Sequence, residues 1–246
     1  MRSLVVTSAL LVVCAAPAFG EDLPTFLKAA TAAARPNVPL RADGTLVTTS
    51  PDGTQRDQIA IVRRPNGDVY LELHNTGARA LLLGNGETAL LVPASGKASG
   101  AFALDTNFGT SEFSREDLRP FSEMNYRSPT IVDRNEGEVT VSLTPAPSQY
   151  ALQVITFDTE RKVPLVIKNY KDTISNLVKM RRSRNFTSAG GTWMPSEVAM
   201  ENFPLRAVST LALTWQPTDD MPALFDPASL NKPSPLTWPS APAPAQ

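Results

Sequence analysis

Residues 56–73 read RDQIAIVRRPNGDVYLEL, and they give the clearest indication of the fold class. Ile59 and Ile61 fall on one face of an extended chain, because successive side chains of a strand point to opposite faces. The turn at 65–68, Pro-Asn-Gly-Asp, is a strong hairpin signal between two alternating segments. Beyond the turn the apolar residues alternate again at Val69, Leu71 and Leu73. The stretch therefore predicts two antiparallel strands that share one apolar face.

Similar alternation continues over most of the chain. Further strands are predicted at residues 46–49, 79–83, 87–92, 130–134, 138–143, 151–158, 163–170, 175–186, 193–201 and 207–215. Turn signals separate them, for example Asn135-Glu136-Gly137 and Ala189-Gly190-Gly191. About ten short strands joined by tight turns indicate an antiparallel meander, and no repeated strand–helix alternation supports a parallel sheet.

Two segments depart from this pattern. The first is a helix, predicted over 23–34, whose apolar residues recur at helical spacing after a start at Asp22. The second is the interval from 95 to 128, which is long for a compact domain and has no strand pattern. It is too aromatic for a disordered linker, with Phe102, Phe108, Phe113, Phe121 and Tyr126. We therefore expect a partly helical flap that packs over one face of the sheet.

The first twenty residues have the composition of a targeting segment. Arg2 gives a positive start, residues 4–13 form an apolar run, and Ala18-Phe19-Gly20 offers small residues for cleavage. The run is too short to span a bilayer. We predict a cleaved signal peptide and a periplasmic location. An alternative treats residues 11–14 as a lipidation box ending at Cys14, but Val13 is bulky where small residues are normally required.

Composition restricts the partners and the means of stabilisation. The formal net charge of −1 gives no overall attraction to nucleic acid, so we predict no nucleic-acid partner. Cys14 is the only cysteine and would leave with the signal, so the core must hold the chain together without a disulfide. From Lys232 onwards prolines recur, which predicts a disordered, solvated tail.

Groups suited to catalysis are scarce. His74 is the only histidine, and no cysteine would remain in the mature chain to bind zinc. The loop at 96–100 is close to a nucleophile elbow but wrongly spaced. Asp219-Asp220 lies among prolines and indicates an acidic turn. We therefore predict no catalytic residue, no metal site and no cofactor, and interpret the chain as a protein that is not an enzyme.

A basic run interrupts one of the later strands, where residues 179–184 read KMRRSR. Strict alternation would turn either Arg181 or Arg182 inward, which implies a bulge or an inward-facing charge. One interpretation is a solvated edge whose charges block pairing with other chains. The other is a rim site, formed by Arg181, Arg182 and Arg184, for an acidic headgroup or a partner membrane protein.

Three motifs carry a resemblance to a known family. Residues 109–118 read GTSEFSREDL, residues 190–195 read GGTWMP, and residues 224–230 read LFDPASL. In their order and spacing they resemble the outer-membrane lipoprotein-sorting proteins, the family of LolA-like periplasmic carriers. The match is to the broad branch of that family rather than to the dedicated carrier, and it covers roughly residues 23–230.

The resemblance implies a mainly β (α+β) fold, in which a strongly curved antiparallel sheet forms an incomplete barrel. The N-terminal helix and the flap would cover its concave side, with lipid chains between sheet and cover. The LolA-like lipid-binding domain would span 21–231, between the signal peptide at 1–20 and the disordered tail at 232–246. The candidate cavity residues are the apolar members of alternating strands: Ile59, Ile61, Val69, Leu71, Leu73, Val139, Val141 and Leu143.

The flap is expected to close over the cavity and to swing aside for cargo. Its candidate residues are Phe108, Phe113, Leu118 and Phe121, of which Phe113 and Leu118 are expected to pack inward. The acidic residues Glu112, Glu116 and Asp117 are expected to face water.

The predicted function is that of a monomeric periplasmic carrier of lipid or lipoprotein acyl chains. The resemblance implies an inner-membrane transporter or an outer-membrane acceptor as membrane partner. The alternative is a non-catalytic envelope module that binds protein through the concave sheet face or the basic edge. Each candidate cavity residue could equally be an ordinary core residue, so the sequence does not distinguish a hollow interior from a packed one.

Overall fold

The computed structural model describes residues 21–84, 86–94 and 98–238. The predicted signal segment with Cys14, residues 96–97 of the loop that resembles a nucleophile elbow, and the tail from 239 onwards lie outside the described residues.

Helix α1, Leu23–Ala33, begins where the sequence predicts it. Asp22 caps its first turn, because its Oδ1 accepts a hydrogen bond from the Thr25 N–H at 2.9 Å. The helix ends just before Arg35, the residue that precedes a proline and so avoids the helical region. Its buried face consists of Phe26, Leu27, Ala30 and Thr31. This face attaches the helix to the concave side of the sheet.

The rest of the fold is a single sheet of thirteen strands among the described residues. The strands are β1 Leu40–Ser50, β2 Gly53–Arg63, β3 Val69–Leu73, β4 Arg79–Leu83, β5 Thr88–Val92, β6 Gly100–Ala101, β7 Tyr126–Asn135, β8 Glu138–Pro145, β9 Leu152–Asp158, β10 Pro164–Tyr170, β11 Leu177–Ala189, β12 Thr192–Asn202 and β13 Ala207–Pro217. Their pairings are antiparallel, and the sheet is an open, curved barrel, so the predicted fold class is confirmed.

The strand order explains the long interval that the sequence left without strands. The order is β6-β5-β4-β3-β2-β1-β13-β12-β11-β10-β9-β8-β7, so the first strand pairs with the last. The two edges of the sheet are therefore β6 and β7, and residues 102–125 join them. This segment, here called the connection, must pass from one edge of the open barrel to the other. It contains the short helix α2, Arg115–Leu118, and a single 3₁₀ turn at Glu123–Asn125.

Register assigns the alternating side chains to the two faces of the sheet. In the β2–β3 hairpin, Ile59 pairs with Leu73 and Ile61 pairs with Leu71. These residues point to the concave face and pack with Phe102, Phe108 and Phe113 of the connection. The intervening residue Tyr70 points to the convex face. All five residues of β3 are buried because both faces of this half of the sheet are covered.

The convex cover is the C-terminal part of the chain. Leu224, Leu230 and Leu236 are buried there against β2, β3 and β4. The Arg79 and Arg41 guanidinium groups donate hydrogen bonds to the carbonyls of Lys232 and Thr237. The sequence predicts a solvated tail from residue 232, but 232–238 packs on the sheet. Its prolines favour an extended backbone, which can lie along a sheet without becoming a strand.

Gly109, the first residue of the GTSEFSREDL motif, permits a close approach between the connection and β3. Its φ of 58° is in the left-handed region, and an added Cβ would lie 2.4 Å from Leu73 Cδ1. We expect Gly109→Ala to lower the free energy of unfolding by roughly 2–4 kcal/mol, from backbone strain together with overpacking. Denaturant titration measures the change.

Gly100→Ala is the matched control for this substitution. A Cβ added at Gly100 would have no neighbouring atom within 4 Å, and the φ of Gly100 is not positive. Its substitution should change the free energy of unfolding by less than about 0.5 kcal/mol. Equal losses for the two variants would show that Gly109 is not required by the packing described here.

Candidate functional site

A cavity of about 160 Å³ lies on the concave face, near the middle of the sheet. The central strands β11–β13 line it together with β2, β3 and the start of β10. The other side of the cavity is closed by Ala34 at the end of α1 and by residues 113–121 of the connection. We call residues 113–121 the cover. The lining of the cavity is mainly apolar: Ile61, Val69, Leu71, Phe113, Leu118, Phe121, Val163, Pro164, Phe186, Trp193, Met194, Val198, Leu211, Leu213 and Trp215.

The structure divides the eight candidate cavity residues into three groups. Ile61, Val69 and Leu71 line the cavity. Ile59 and Leu73 are packed beneath the connection, away from the cavity. Val139, Val141 and Leu143 are packed beneath α1 with Phe26 and Phe157. The interior is therefore mostly filled by the protein's own side chains, and this cavity lies between the two filled regions.

Several lining residues were not among the sequence candidates. Three of them alternate in predicted strands: Val198 on β12, and Leu211 and Leu213 on β13. The sequence could therefore place these residues on the inward face of their strands. It could not place them beside the hollow, because the hollow depends on how far the sheet curves away from the cover. Trp193 and Trp215 were missed for the same reason.

The candidate flap residues are also divided. Phe113, Leu118 and Phe121 line the cavity, as expected for a cover. Phe108 is buried in the filled region with Leu73 and Phe102. Phe121 also packs edge-on against Phe157, with ring centroids 5.1 Å apart. The part of the predicted flap that lies over the hollow is therefore its C-terminal part.

The expectation that Glu112, Glu116 and Asp117 face water is wrong: the structure buries all three. Asp117 Oδ2 accepts hydrogen bonds from the Ser114 N–H at 2.9 Å and from Lys179 Nζ at 3.1 Å. The side chains of Lys179 and Asp117 are only 10% and 2% exposed. We call the buried polar groups around this ion pair the polar anchor: Glu112, Ser114, Asp117, Lys179 and Asn202.

Further hydrogen bonds attach the polar anchor to four strands. Lys179 Nζ on β11 donates to the Glu112 carbonyl at 2.7 Å, and Asn202 on β12 donates to the Glu112 carboxylate at 2.6 Å. The Glu112 N–H donates to Ser209 on β13 at 2.8 Å, and Asn169 on β10 donates to Asp117 at 3.2 Å. Buried carboxylates are stable only when such donors surround them. The alternation of the sequence gave no sign of them.

The carboxylate of Glu116 is bound on the other side of α2. It accepts hydrogen bonds from the Ser148 hydroxyl and from the Gln149 N–H. Burial raises the pKa of Glu116, an effect that these two donors oppose. The segment from Ser111 to Asp117 is therefore fixed on both sides, and a swing of the whole predicted flap would require breaking these bonds.

The basic run on β11 is resolved by strict alternation. Arg181 points inward and lines the cavity. Arg182 points outward and pairs with Glu201 at 3.2 Å, and Arg184 is exposed on the same outer face. Of the three candidate rim residues, the structure therefore places only Arg181 at the cavity, and it does so without a bulge at that position.

A second arginine, Arg63 on β2, lines the same cavity. It donates a 2.8 Å hydrogen bond to the Ala34 carbonyl at the end of α1, and Arg181 donates a 3.1 Å hydrogen bond to the Asp117 carbonyl in the cover. Burial and the nearby charge of Arg181 lower the pKa of Arg63 to about 10. Burial also lowers the pKa of Arg181, although Asp117 opposes this effect.

The other residues that were considered for catalysis, His74 and Asp220, lie on the surface. His74 packs its ring against Trp238, with centroids 4.7 Å apart. Asp220 pairs with Arg64 at 2.6 Å. Over residues 21–84, 86–94 and 98–238, no cluster of three or more His, Cys, Asp or Glu side chains could hold a metal ion. Within the same ranges, no helix combines the length and the apolar character needed to cross a bilayer.

Comparison with solved structures identifies the fold. A domain of an outer membrane lipoprotein-sorting protein from Vibrio parahaemolyticus superposes with a TM-score of 0.72 at 16% identity, over 84% of this chain and 97% of that chain. A LolA superfamily protein from Nitrosomonas europaea gives 0.63 at 17% identity, over 81% and 96%. A DUF1329 family protein from Desulfovibrio piger gives 0.68 at 14% identity, over 83% and 98%.

Sequence comparison adds nothing to this likeness. No model of a protein family matches the chain, and no curated protein matches it. At identities below 20% the structural likeness shows the fold alone. The chain therefore has the LolA-like open-barrel fold, in agreement with its three sequence motifs.

Proposed function

We propose that this chain, with its LolA-like fold, is a periplasmic carrier that shelters lipid or lipoprotein acyl chains in the cavity on its concave face. The observation that supports the proposal is an apolar hollow of about 160 Å³ between the sheet and a separately anchored cover. A chain that needed only a stable core would gain by filling such a hollow, since each missing contact costs dispersion energy.

The size of the hollow indicates how it would be used. An engineered apolar cavity of about 150 Å³ binds benzene, whereas sites for larger ligands commonly measure about 300–1,000 Å³. The cavity as it stands therefore accommodates a short part of an acyl chain. A whole chain requires that residues 118–121 or the end of α1 move outward. The polar anchor would stay in place during that movement.

The energetics of acyl burial suit a carrier. Each methylene removed from water contributes about 0.8 kcal/mol, so a long acyl chain gains on the order of 10 kcal/mol when it is largely buried. Part of that gain is lost in moving residues 118–121 or the end of α1 outward, and cargo can therefore be released to an acceptor. An inner-membrane transporter as donor and an outer-membrane acceptor would complete the route, with the carrier acting as a monomer and without catalysis.

A titration with a fluorescent acyl probe tests this proposal. The purified mature protein should bind the probe saturably, with a stoichiometry near one, and unlabelled fatty acid or lysophospholipid should displace it. Probe binding that fails to saturate, or that resists displacement, would contradict an acyl-binding cavity. It would favour the alternative of an envelope module that binds protein through the concave face.

A further inference from the structure

The largely apolar lining of the cavity includes three arginines, Arg63, Arg119 and Arg181, and the carboxylate of Asp117, which is already paired with Lys179. Arg63 comes from β2 and Arg181 from β11, strands that are four positions apart in the sheet. The curvature of the sheet brings both side chains to one hollow, close enough for the charge of Arg181 to act on Arg63. Both residues are half-buried, so each keeps part of its surface open to the hollow.

Neither the Arg63 nor the Arg181 guanidinium forms an ion pair with a carboxylate in the described part of the chain, although the nearby charge of Asp117 opposes the lowering of the pKa of Arg181. Arg63 donates to the Ala34 carbonyl and to the Met194 sulfur, and Arg181 donates to the Asp117 carbonyl. Among the ion pairs of the described residues, none includes Arg63 or Arg181, whereas Arg182 on the outer face of β11 is paired. A guanidinium has five N–H donors, so both groups retain donors for another acceptor.

Like charges that are partly removed from water repel each other and are costly to bury without a counter-ion. An anion in the hollow would relieve that cost and would accept charge-assisted hydrogen bonds from both groups. Uncharged hydrocarbon alone would leave the charges of Arg63 and Arg181 without an ion-pair partner. The lining therefore matches a ligand that has an anionic group next to an apolar chain.

We propose that the cavity selects anionic amphiphiles, with a carboxylate or phosphate group held between Arg63 and Arg181 and the hydrocarbon packed against Leu71, Val198 and Leu213. This proposal rests on the proposed acyl-binding function and names the class of ligand. A free fatty acid and an anionic phospholipid share this chemistry, and the ligand series below distinguishes them.

The test compares ligands of similar chain length and different head charge on the full mature protein. Dodecanoate and lauroyl lysophosphatidylglycerol are anionic, monolaurin is neutral, and dodecyltrimethylammonium is cationic. Displacement of the acyl probe, below the critical micelle concentration, gives the relative affinities. We expect at least one anionic ligand to bind about tenfold more tightly than monolaurin, since one hydrogen bond to a charged group supplies that factor. The anion that binds more tightly shows whether the site prefers a carboxylate or a phosphodiester headgroup.

The variant Arg63→Gln/Arg181→Gln should lose this preference while keeping its affinity for monolaurin within about twofold. Arg63→Lys/Arg181→Lys, which keeps both charges, should retain a preference for anions. Arg184→Gln, an exposed residue of the same strand, is the matched control and should behave as the unmodified protein. Melting curves establish that each variant is folded, and the lysine variant provides the test if the glutamine variant is not.

Two results would overturn the proposal. One is equal affinity of the unmodified protein for anionic and neutral amphiphiles. The other is a parallel loss of both in the glutamine variant, which would assign the arginines to holding α1 and the cover only. Binding of no amphiphile at all would instead refute the acyl-binding function on which the proposal rests.

Discussion

Lys179→Met is expected to lower the free energy of unfolding by about 3–5 kcal/mol, because it leaves the Asp117 carboxylate buried without its cation. The side chain of Asp117 is 2% exposed, so water cannot replace the lost charge. Lys179 also donates to the Glu112 carbonyl at 2.7 Å, and methionine cannot replace that hydrogen bond. Equilibrium denaturation in urea measures the loss.

Arg182→Met on the same strand is the matched control. Its ion pair with Glu201 is 3.2 Å long, but the two side chains are 39% and 35% exposed. Exposed pairs of this kind contribute less than about 1 kcal/mol. In the double variant Lys179→Met/Asp117→Asn part of the stability should return, because the unpaired carboxylate is gone. Similar losses for Lys179→Met and Arg182→Met would refute the polar anchor.

Val198→Trp is expected to weaken binding of the acyl probe by about tenfold to a hundredfold. The indole would occupy the hollow beside Leu211 and displace two to four methylenes of the ligand, each worth about 0.8 kcal/mol. Overpacking should cost about 1–3 kcal/mol of stability, so the variant should still fold. Probe titration measures the affinity, and a melting curve measures the stability.

Val208→Trp controls for a general effect of an added tryptophan. Val208 lies on the neighbouring strand β13 and is 39% exposed. Its substitution should leave the affinity for the probe within about twofold. Unchanged affinity in Val198→Trp would mean that the probe binds elsewhere on the molecule.

The sequence predicted the fold well because the dominant signal is local. Alternation in segments such as 56–73, with a strong turn between them, specifies strand, face and register together. The capped helix at residue 23 depends on the same kind of local signal. Curvature of the sheet and its strand order depend instead on distant pairings, here β1 with β13. For the curvature the resemblance of three motifs supplied the expectation, which the structure confirms, whereas the strand order was not predicted.

The site was less accessible to prediction. Alternation shows that Val69 and Val139 both point inward, but only the three-dimensional packing shows that Val69 faces a hollow and Val139 lies under α1. The polar anchor was missed because acidic residues in a connecting segment are ordinarily solvated, and the partner of Asp117 is Lys179, far away in the sequence. The basic run at residues 179–184 gave one correct prediction, because alternation along the strand required one inward-facing arginine.

Nuclear magnetic resonance of the methyl-labelled mature protein with a bound fatty acid would show whether the acyl chain lies in the concave cavity. We expect intermolecular nuclear Overhauser effects from the acyl methylenes to the methyl groups of Leu71, Val198 and Leu213 on the concave face. We expect none to Leu81 and Leu224, which are buried on the convex face. Contacts on the convex face, or a bound fatty acid without contacts to the concave methyl groups, would contradict acyl binding in this cavity.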